Sequence, residues 1–116
     1  MKFLCHVHQP MYEHNDKKYM RILLARTSSE IIQRMHDRNA HKLNNSIIED
    51  PLDGKILTVK VPFRYRRVMC KVIGSKPVQS LVTNDEIEID ISFKGVWNIG
   101  NHSGYSWVVE SINSFQ

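Results

Sequence analysis

Residues Lys55 to Gly74 read KILTVKVPFRYRRVMCKVIG and give the most direct indication of the fold. Its first half alternates apolar and mostly basic side chains, a period of two that is typical of a strand with one buried face. The second half has the opposite parity: the apolar residues move from odd-numbered positions, such as Val59 and Val61, to even-numbered positions, such as Val68 and Val72. A change of parity inside one run predicts a bulge or sharp bend, the feature by which a small barrel turns a corner.

The N-terminal segment predicts a β-hairpin. Strand-like runs at residues 1–13 and 17–25 flank the polar sequence His14-Asn15-Asp16, which is typical of a turn. Pro10 lacks a backbone N–H, so we expect it at an edge or a bulge of the first strand.

A single helix is predicted over residues 28–43. Ser28 or Ser29 is a suitable N-cap, and Glu30 then falls in the first turn. Apolar residues recur at helical spacing and define the face expected to pack on the core: Ile31, Ile32, Met35 and Leu43. Residues 44–54 read as a turn-rich connection.

The C-terminal third predicts further strands. Ile87, Ile89 and Ile91 alternate with acidic residues, which indicates a half-buried strand with an acidic outer face. A Gly- and Asn-rich turn at residues 100–104 then leads to an aromatic strand. The order of elements predicts one mainly β domain over residues 1–116, with one helix and a barrel-like sheet.

Composition places the chain among ordinary globular proteins. It has 116 residues, 41% of them hydrophobic, with 16 Lys and Arg against 12 Asp and Glu and a net charge of +4. These values exclude collagen, low-complexity disorder and a disulfide scaffold. No signal peptide or membrane span is recognisable, so we expect an intracellular protein, in cytoplasm or nucleus and not secreted, whose Cys5 and Cys70 are reduced, buried thiols.

Charge is segregated along the chain. Seven basic residues and no acidic residue lie between Lys55 and Asn84, whereas residues 85–90 contain four acids. A basic strand face is the expected footprint of a polyanion. The alternative is that these arginines pair with the carboxylates of a neighbouring strand, since opposite charges across strands stabilise a sheet.

Aromatic residues accompany the basic run, and a positive groove with aromatic platforms is how proteins hold single-stranded nucleic acid. We therefore predict binding of single-stranded nucleic acid, DNA in preference to RNA, with little sequence specificity. The expected phosphate contacts are Lys60, Arg64, Arg66, Arg67 and Lys71. The expected stacking residues are Trp97 and Trp107, or Tyr65 and Tyr105.

The segment from Asn84 to Ile112 carries a family resemblance. It contains an acidic strand, the step Lys94-Gly95-Val96-Trp97, a Gly- and Asn-rich hairpin and the aromatic strand Tyr105-Ser106-Trp107-Val108-Val109-Glu110. This order resembles the closing hairpin of OB-fold single-stranded-DNA-binding proteins, as a divergent member of viral or plasmid type. The resemblance implies an OB-like five-stranded barrel, a role in replication or recombination, and a homodimer or higher oligomer. The N-terminal hairpin and helix are predicted from the residues, and a helix ahead of the long strand is not the usual order in that family.

Other functions remain open from the sequence. The basic and acidic strands could serve as complementary docking surfaces of a protein-interaction module. Glu86, Glu88 and Asp90 could hold Mg²⁺ in a nuclease, although alternating acids are more often a solvated face. His6 and His8 supply only two of the ligands that a zinc site needs. No catalytic motif is present, so we predict no enzyme, no metal and no cofactor.

Overall fold

Ten strands and one α-helix make up residues 1–115, the part of the chain that this computed structural model describes. In chain order they are β1 (Lys2–His14), β2 (Lys17–Leu24), α1 (Arg26–Asn39), β3 (Ile47–Glu49), β4 (Leu52–Asp53), β5 (Ile56–Val61), β6 (Phe63–Arg64), β7 (Arg67–Val68), β8 (Lys71–Ile73), β9 (Glu86–Ile99) and β10 (His102–Ser114). Two 3₁₀ turns, Ala40–Lys42 and Val78–Ser80, complete the chain path.

Five strands close into a ring in the order β1, β2, β5, β10, β9 and back to β1. All neighbours are antiparallel except β5 and β10, which are parallel and meet at Lys60 and Val108. Numbered along the chain, the ring order is first, second, third, fifth, fourth, a Greek-key order such as the OB fold uses. The predicted fold class, a mainly β, OB-like five-stranded barrel with an N-terminal hairpin and one helix, is confirmed.

Strand alternation fills the interior of the ring. Ile87, Ile89 and Ile91 are fully buried, as the period of two predicts, and acidic residues take the opposite face of β9. Val59 and Val61 are likewise buried from β5. Each buried aliphatic side chain contributes about 1.5–3 kcal/mol relative to exposure, so this alternation fixes the register of the sheet.

The N-terminal hairpin forms as predicted. Asn15 and Asp16 make the turn with φ values of 50° and 64°, a left-handed conformation that Asn and Asp tolerate. The register of β1 against β2 shifts on both sides of Gln9, next to Pro10. The predicted bulge therefore lies where proline interrupts the ladder.

The helix begins two residues before the predicted start, and neither serine caps it. Ala25 is the N-cap, and the Ser29 hydroxyl donates to the Arg26 carbonyl at 2.7 Å from inside the first turn. The helix ends at Asn39, where a 3₁₀ turn continues the chain. Ile31, predicted to be in the core, is 37% exposed, whereas His36 is buried. The apolar stripe is rotated because a histidine takes a core position.

The run from Lys55 to Gly74 reverses direction instead of bending. The two-residue turn Tyr65-Arg66, with φ values of 55° and 61°, joins β6 to β7 in a separate two-stranded sheet. The chain then pairs β8 in parallel with β10. The predicted bulge within one strand was wrong: the parity changes because the chain turns back. The predicted connection 44–54 also contains β3 and β4.

The structure bears on the expectations about the two cysteines and about membrane spans. Both cysteines are free; Cys5 is buried, whereas Cys70 is only half-buried. Burial raises the pKa of the Cys5 thiol to about 12. Within residues 1–115, no helix has the length and apolar character that crossing a membrane requires.

Candidate nucleic-acid interface

An open groove of about 810 Å³ lies where the turn end of the β1–β2 hairpin, β5 and the β9–β10 hairpin meet. Its cationic lining residues are Lys17, Arg21, Lys60 and Lys94. Its aromatic lining residues are Tyr12, Tyr19, Trp97, Tyr105 and Trp107. Two carboxylates also line it: Glu49, the last residue of β3, and Asp50, which follows it. Cations and aromatic rings in one cleft are the combination that single-stranded nucleic acid requires.

Three of the four groove cations have no acidic partner. Lys94 lies 3.3 Å from Glu110, whereas no carboxylate within residues 1–115 lies within 4.0 Å of Lys17, Arg21 or Lys60. Cations without a close acidic partner contribute positive potential to the groove.

The outward residues of β1, β2 and β5 form one row across the groove. Tyr12 is the register partner of Tyr19, which is the partner of Lys60. The two tyrosine rings are 6.0 Å apart between centroids, and the Arg21 guanidinium carbon lies 5.6 Å from the Tyr12 centroid. Burial, followed by the nearby Tyr12 and Glu49, raises the pKa of the Tyr19 phenol, so this ring is neutral at physiological pH.

Of the two indoles, only Trp97 is available in the groove. It is half-buried, and its ring lies over Gly104. Trp107 and Tyr105, the other predicted stacking residues in β10, are 2% and 8% exposed. Their side chains pack inward, so a base could reach only their edges.

The two buried aromatics of β10 enclose His36 from α1. The imidazole stacks on the Tyr105 ring with 4.0 Å between centroids, and its Nε2 accepts a hydrogen bond from the Trp107 indole N–H at 2.9 Å. Its Nδ1 lies 3.2 Å from Asp50 Oδ1, without the alignment of a hydrogen bond. Burial lowers the pKa of His36, against the opposing effect of Asp50. The neutral His36 ring of α1 therefore contacts both the barrel strand β10 and Asp50, which lines the groove.

The predicted arginines lie in the β6–β7 hairpin, outside the groove lining. Arg64, Tyr65, Arg66 and Arg67 are exposed, and Tyr65 is 84% exposed at the turn. The hairpin follows Lys60 by three residues, and Lys18 Nζ lies 5.2 Å from the Phe63 centroid at its base. Lys71 is exposed on β8, which pairs on the other side of β10 from β9. The structure thus brings together Lys60 and Trp97 and leaves the arginines and Lys71 apart from them.

The alternative pairing of these arginines with the acidic strand does not occur among the described residues. Asp85 binds Lys76 at 2.6 Å, Glu86 lies 4.0 Å from His6, and Asp90 binds the Met1 amino group at 3.0 Å. The hydrogen bond from Lys76 lowers the pKa of Asp85. Three of the four acids at residues 85–90 thus have other partners, and the arginines remain accessible. No group of three or more possible metal ligands occurs in residues 1–115.

Sequence reasoning missed the contribution of β2. Lys17, Tyr19 and Arg21 share one parity of that strand, opposite the buried Met20 and Ile22. The alternation of basic and aromatic residues was present in the sequence and could have identified this face. Nothing in the local sequence signalled that Asp50 would line the groove or that the buried His36 would contact Asp50.

Comparisons of the chain with protein-family models, with curated proteins and with solved structures returned no match.

Proposed function

We propose that this protein binds single-stranded nucleic acid, DNA in preference to RNA, along the groove between its two long hairpins. The observation that carries the proposal is the juxtaposition of unpaired Lys60 with the half-buried rings of Tyr19 and Trp97 in one open cleft. Phosphates would bind Lys60, Arg21 and Lys17, while unpaired bases stack on the rings. Stacking needs a free base face, so a single strand fits better than a duplex.

The β6–β7 hairpin is the second contact in this proposal. It begins next to the groove, and its three arginines have no carboxylate partner within 4.0 Å in the described chain. Guanidinium groups form two-pronged hydrogen bonds with phosphate. A strand that leaves the groove along β5 would meet Arg64, Arg66 and Arg67 in turn, and Tyr65 offers a further ring.

Salt dependence tests both contacts. Binding can be measured by the anisotropy of a fluorescein-labelled oligothymidylate. The logarithm of the association constant should fall linearly with the logarithm of the salt concentration between about 50 and 200 mM. Lys60→Ala should reduce that slope by about 0.7, and the triple change Arg64→Ala, Arg66→Ala, Arg67→Ala by about 2. Lys55→Ala is the matched control, because Lys55 is exposed but does not line the groove.

The result can contradict the proposal in three ways. Absence of binding to oligothymidylate at low salt would remove the function, and a slope unchanged by Lys60→Ala would remove the groove as its site. Tighter binding to a duplex of the same length would favour a different mode of recognition. Oligomeric state and a role in replication or recombination stay predictions of the resemblance.

A further inference from the structure

Two carboxylates line a groove that is otherwise basic and aromatic. Glu49 has a close partner, because its Oε1 lies 3.0 Å from Nδ1 of His102. Asp50 has no Lys or Arg within 4.0 Å in residues 1–115; its ionisable neighbour is the buried His36. A carboxylate in a phosphate-binding groove repels the backbone of the ligand, so its presence there requires a compensating contact.

Asp50 is held in one orientation. Its Oδ1 accepts the Leu52 backbone N–H at 2.9 Å and lies 3.2 Å from His36 Nδ1. Because Trp107 donates to Nε2, the neutral imidazole carries its proton on Nδ1, towards Asp50. The His36 ring is 1% exposed and stacked on Tyr105, so it is a rigid support.

The second oxygen of Asp50 is free. Oδ2 has no hydrogen-bond partner among the described residues, and the Asp50 side chain is 42% exposed at the groove. A fixed carboxylate with one accessible oxygen is a preorganised acceptor for a donor on the ligand. Phosphates offer no such donor, whereas base edges do.

Trp97 and Asp50 line the same groove. A Cβ added to Gly104 would lie 2.6 Å from Trp97 Cζ2 and 2.7 Å from the Glu49 carbonyl, so the indole and the end of β3 lie against the same glycine. Asp50 is the next residue after Glu49. A base stacked on Trp97 would therefore lie in the same groove as Asp50.

We infer that Asp50 selects a guanine stacked on Trp97, by accepting hydrogen bonds from the Watson–Crick edge of that base. This inference rests on the proposed function. Guanine presents two adjacent donors, N1–H and the N2 amino group. Adenine and cytosine place an acceptor nitrogen beside one amino group, and thymine places carbonyls on both sides of one N–H. Carboxylates bind donor edges and reject acceptor edges.

The test compares oligothymidylates that carry one central guanine, hypoxanthine, cytosine or thymine. Hypoxanthine is guanine without its amino group, so the guanine-to-hypoxanthine ratio isolates that donor. With the unaltered protein we expect guanine to bind about tenfold more tightly than hypoxanthine or thymine. Asp50→Asn should bring the ratio close to one, whereas Asp53→Asn, the same charge change at an exposed residue outside the groove, should preserve it.

The possible outcomes distinguish a failure of this inference from a failure of the proposed function. Equal affinity for all four oligonucleotides, with a normal salt slope, would overturn the role of Asp50 and leave the proposed function intact. Equal affinity for guanine and cytosine would overturn the choice of guanine. Failure to bind any of them would overturn the proposed function itself. The comparison of bases uses the unaltered protein, so it holds even where Asp50→Asn does not fold.

Discussion

The indole N–H of Trp107 in β10 donates to Nε2 of His36 in α1 at 2.9 Å, although the two residues are 71 positions apart in the chain. Both side chains are buried, at 2% and 1% exposure. The helix therefore docks on the barrel through a polar bond inside an aromatic cluster that also contains Tyr105 and Phe93. A buried polar pair of this kind stabilises only while both partners are present, because either one alone would be left unsatisfied.

Replacement of His36 by alanine should destabilise the protein substantially. The change removes the acceptor of the Trp107 N–H and the ring that stacks on Tyr105, and it leaves a cavity. An unsatisfied buried donor and a cavity together cost about 3 kcal/mol in free energy of unfolding. Urea denaturation measures this loss. Arg34→Ala, on the exposed side of the same helix, should change stability by less than about 0.5 kcal/mol. A similar effect of both changes would contradict the structural role of His36.

The free energy of unfolding should also decrease as the pH falls, because the buried His36 ring titrates. Burial lowers the pKa of His36 below its ordinary value of 6.5, while Asp50 and Asp37 oppose the shift. The unfolded chain therefore takes up a proton first, and the stability present above about pH 6.5 is lost as the pH falls below it. Protonation of Nε2 would also abolish its acceptance from Trp107.

Urea denaturation at about pH 7.5 and pH 5.5 measures this effect. The unaltered protein should lose more stability over that interval than His36→Phe, which has no titrating group at this position. The groups facing His36 are Asp50 from the groove segment, Asp37 from α1, and the rings of Tyr105, Trp107 and Phe93. An equal pH dependence of the two proteins would assign the loss to other titrating groups.

The barrel was predictable because its signals are local. The period of two in β9 gives the buried series Ile87, Ile89 and Ile91 directly, and Asn15-Asp16 specifies its own turn. The reversal at Tyr65-Arg66 was not predictable, since neither residue favours the left-handed conformation that both adopt. A bulge in one strand produces the same parity change, so the pattern alone could not distinguish the two.

The groove was only half predictable. Lys60 and Trp97 were named from charge and aromatic content, and both line it. Tyr105 and Trp107 have the same composition signal, but both follow the inward alternation of β10. The bulge at Lys94 shifts the register of β9 against β10 and so changes the orientation of Trp97 in β9. Asp50 follows β3, which pairs with β10, and such a long-range pairing leaves no mark in the local sequence.

The two indoles should respond differently to a bound oligonucleotide. Trp97 lines the groove and is half-buried, whereas Trp107 is in the core. Base stacking quenches indole emission, so oligothymidylate should quench the protein, and Trp97→Phe should abolish most of that quenching. Trp97→Phe retains a ring and should weaken affinity only a few-fold, while Trp97→Ala should weaken it about tenfold or more. Full quenching in Trp97→Phe would place the bound base elsewhere.

Gly104→Ala should disturb the groove and the attachment of β3 together. Gly104 has no unusual backbone angle, but an added Cβ would lie 2.6 Å from Trp97 Cζ2 and 2.7 Å from the Glu49 carbonyl. We expect a loss of about 1–3 kcal/mol in free energy of unfolding, as for other overpacked sites, and weaker oligothymidylate binding because the indole is displaced. Ser111→Ala, further along β10 and outside the groove lining, is the matched control.

A double-mutant cycle identifies the clash responsible. If the Trp97 ring is the main obstacle, Gly104→Ala should destabilise the Trp97→Ala variant less than it destabilises the unaltered protein. The loss in free energy of unfolding of the double variant should then be smaller than the sum of the two separate losses by about 1 kcal/mol. The Glu49 carbonyl still opposes the new methyl group, so part of the cost should persist. Strict additivity of the two changes, measured by urea denaturation, would show that the ring does not rest on Gly104 and would remove the basis for the position of the stacked base.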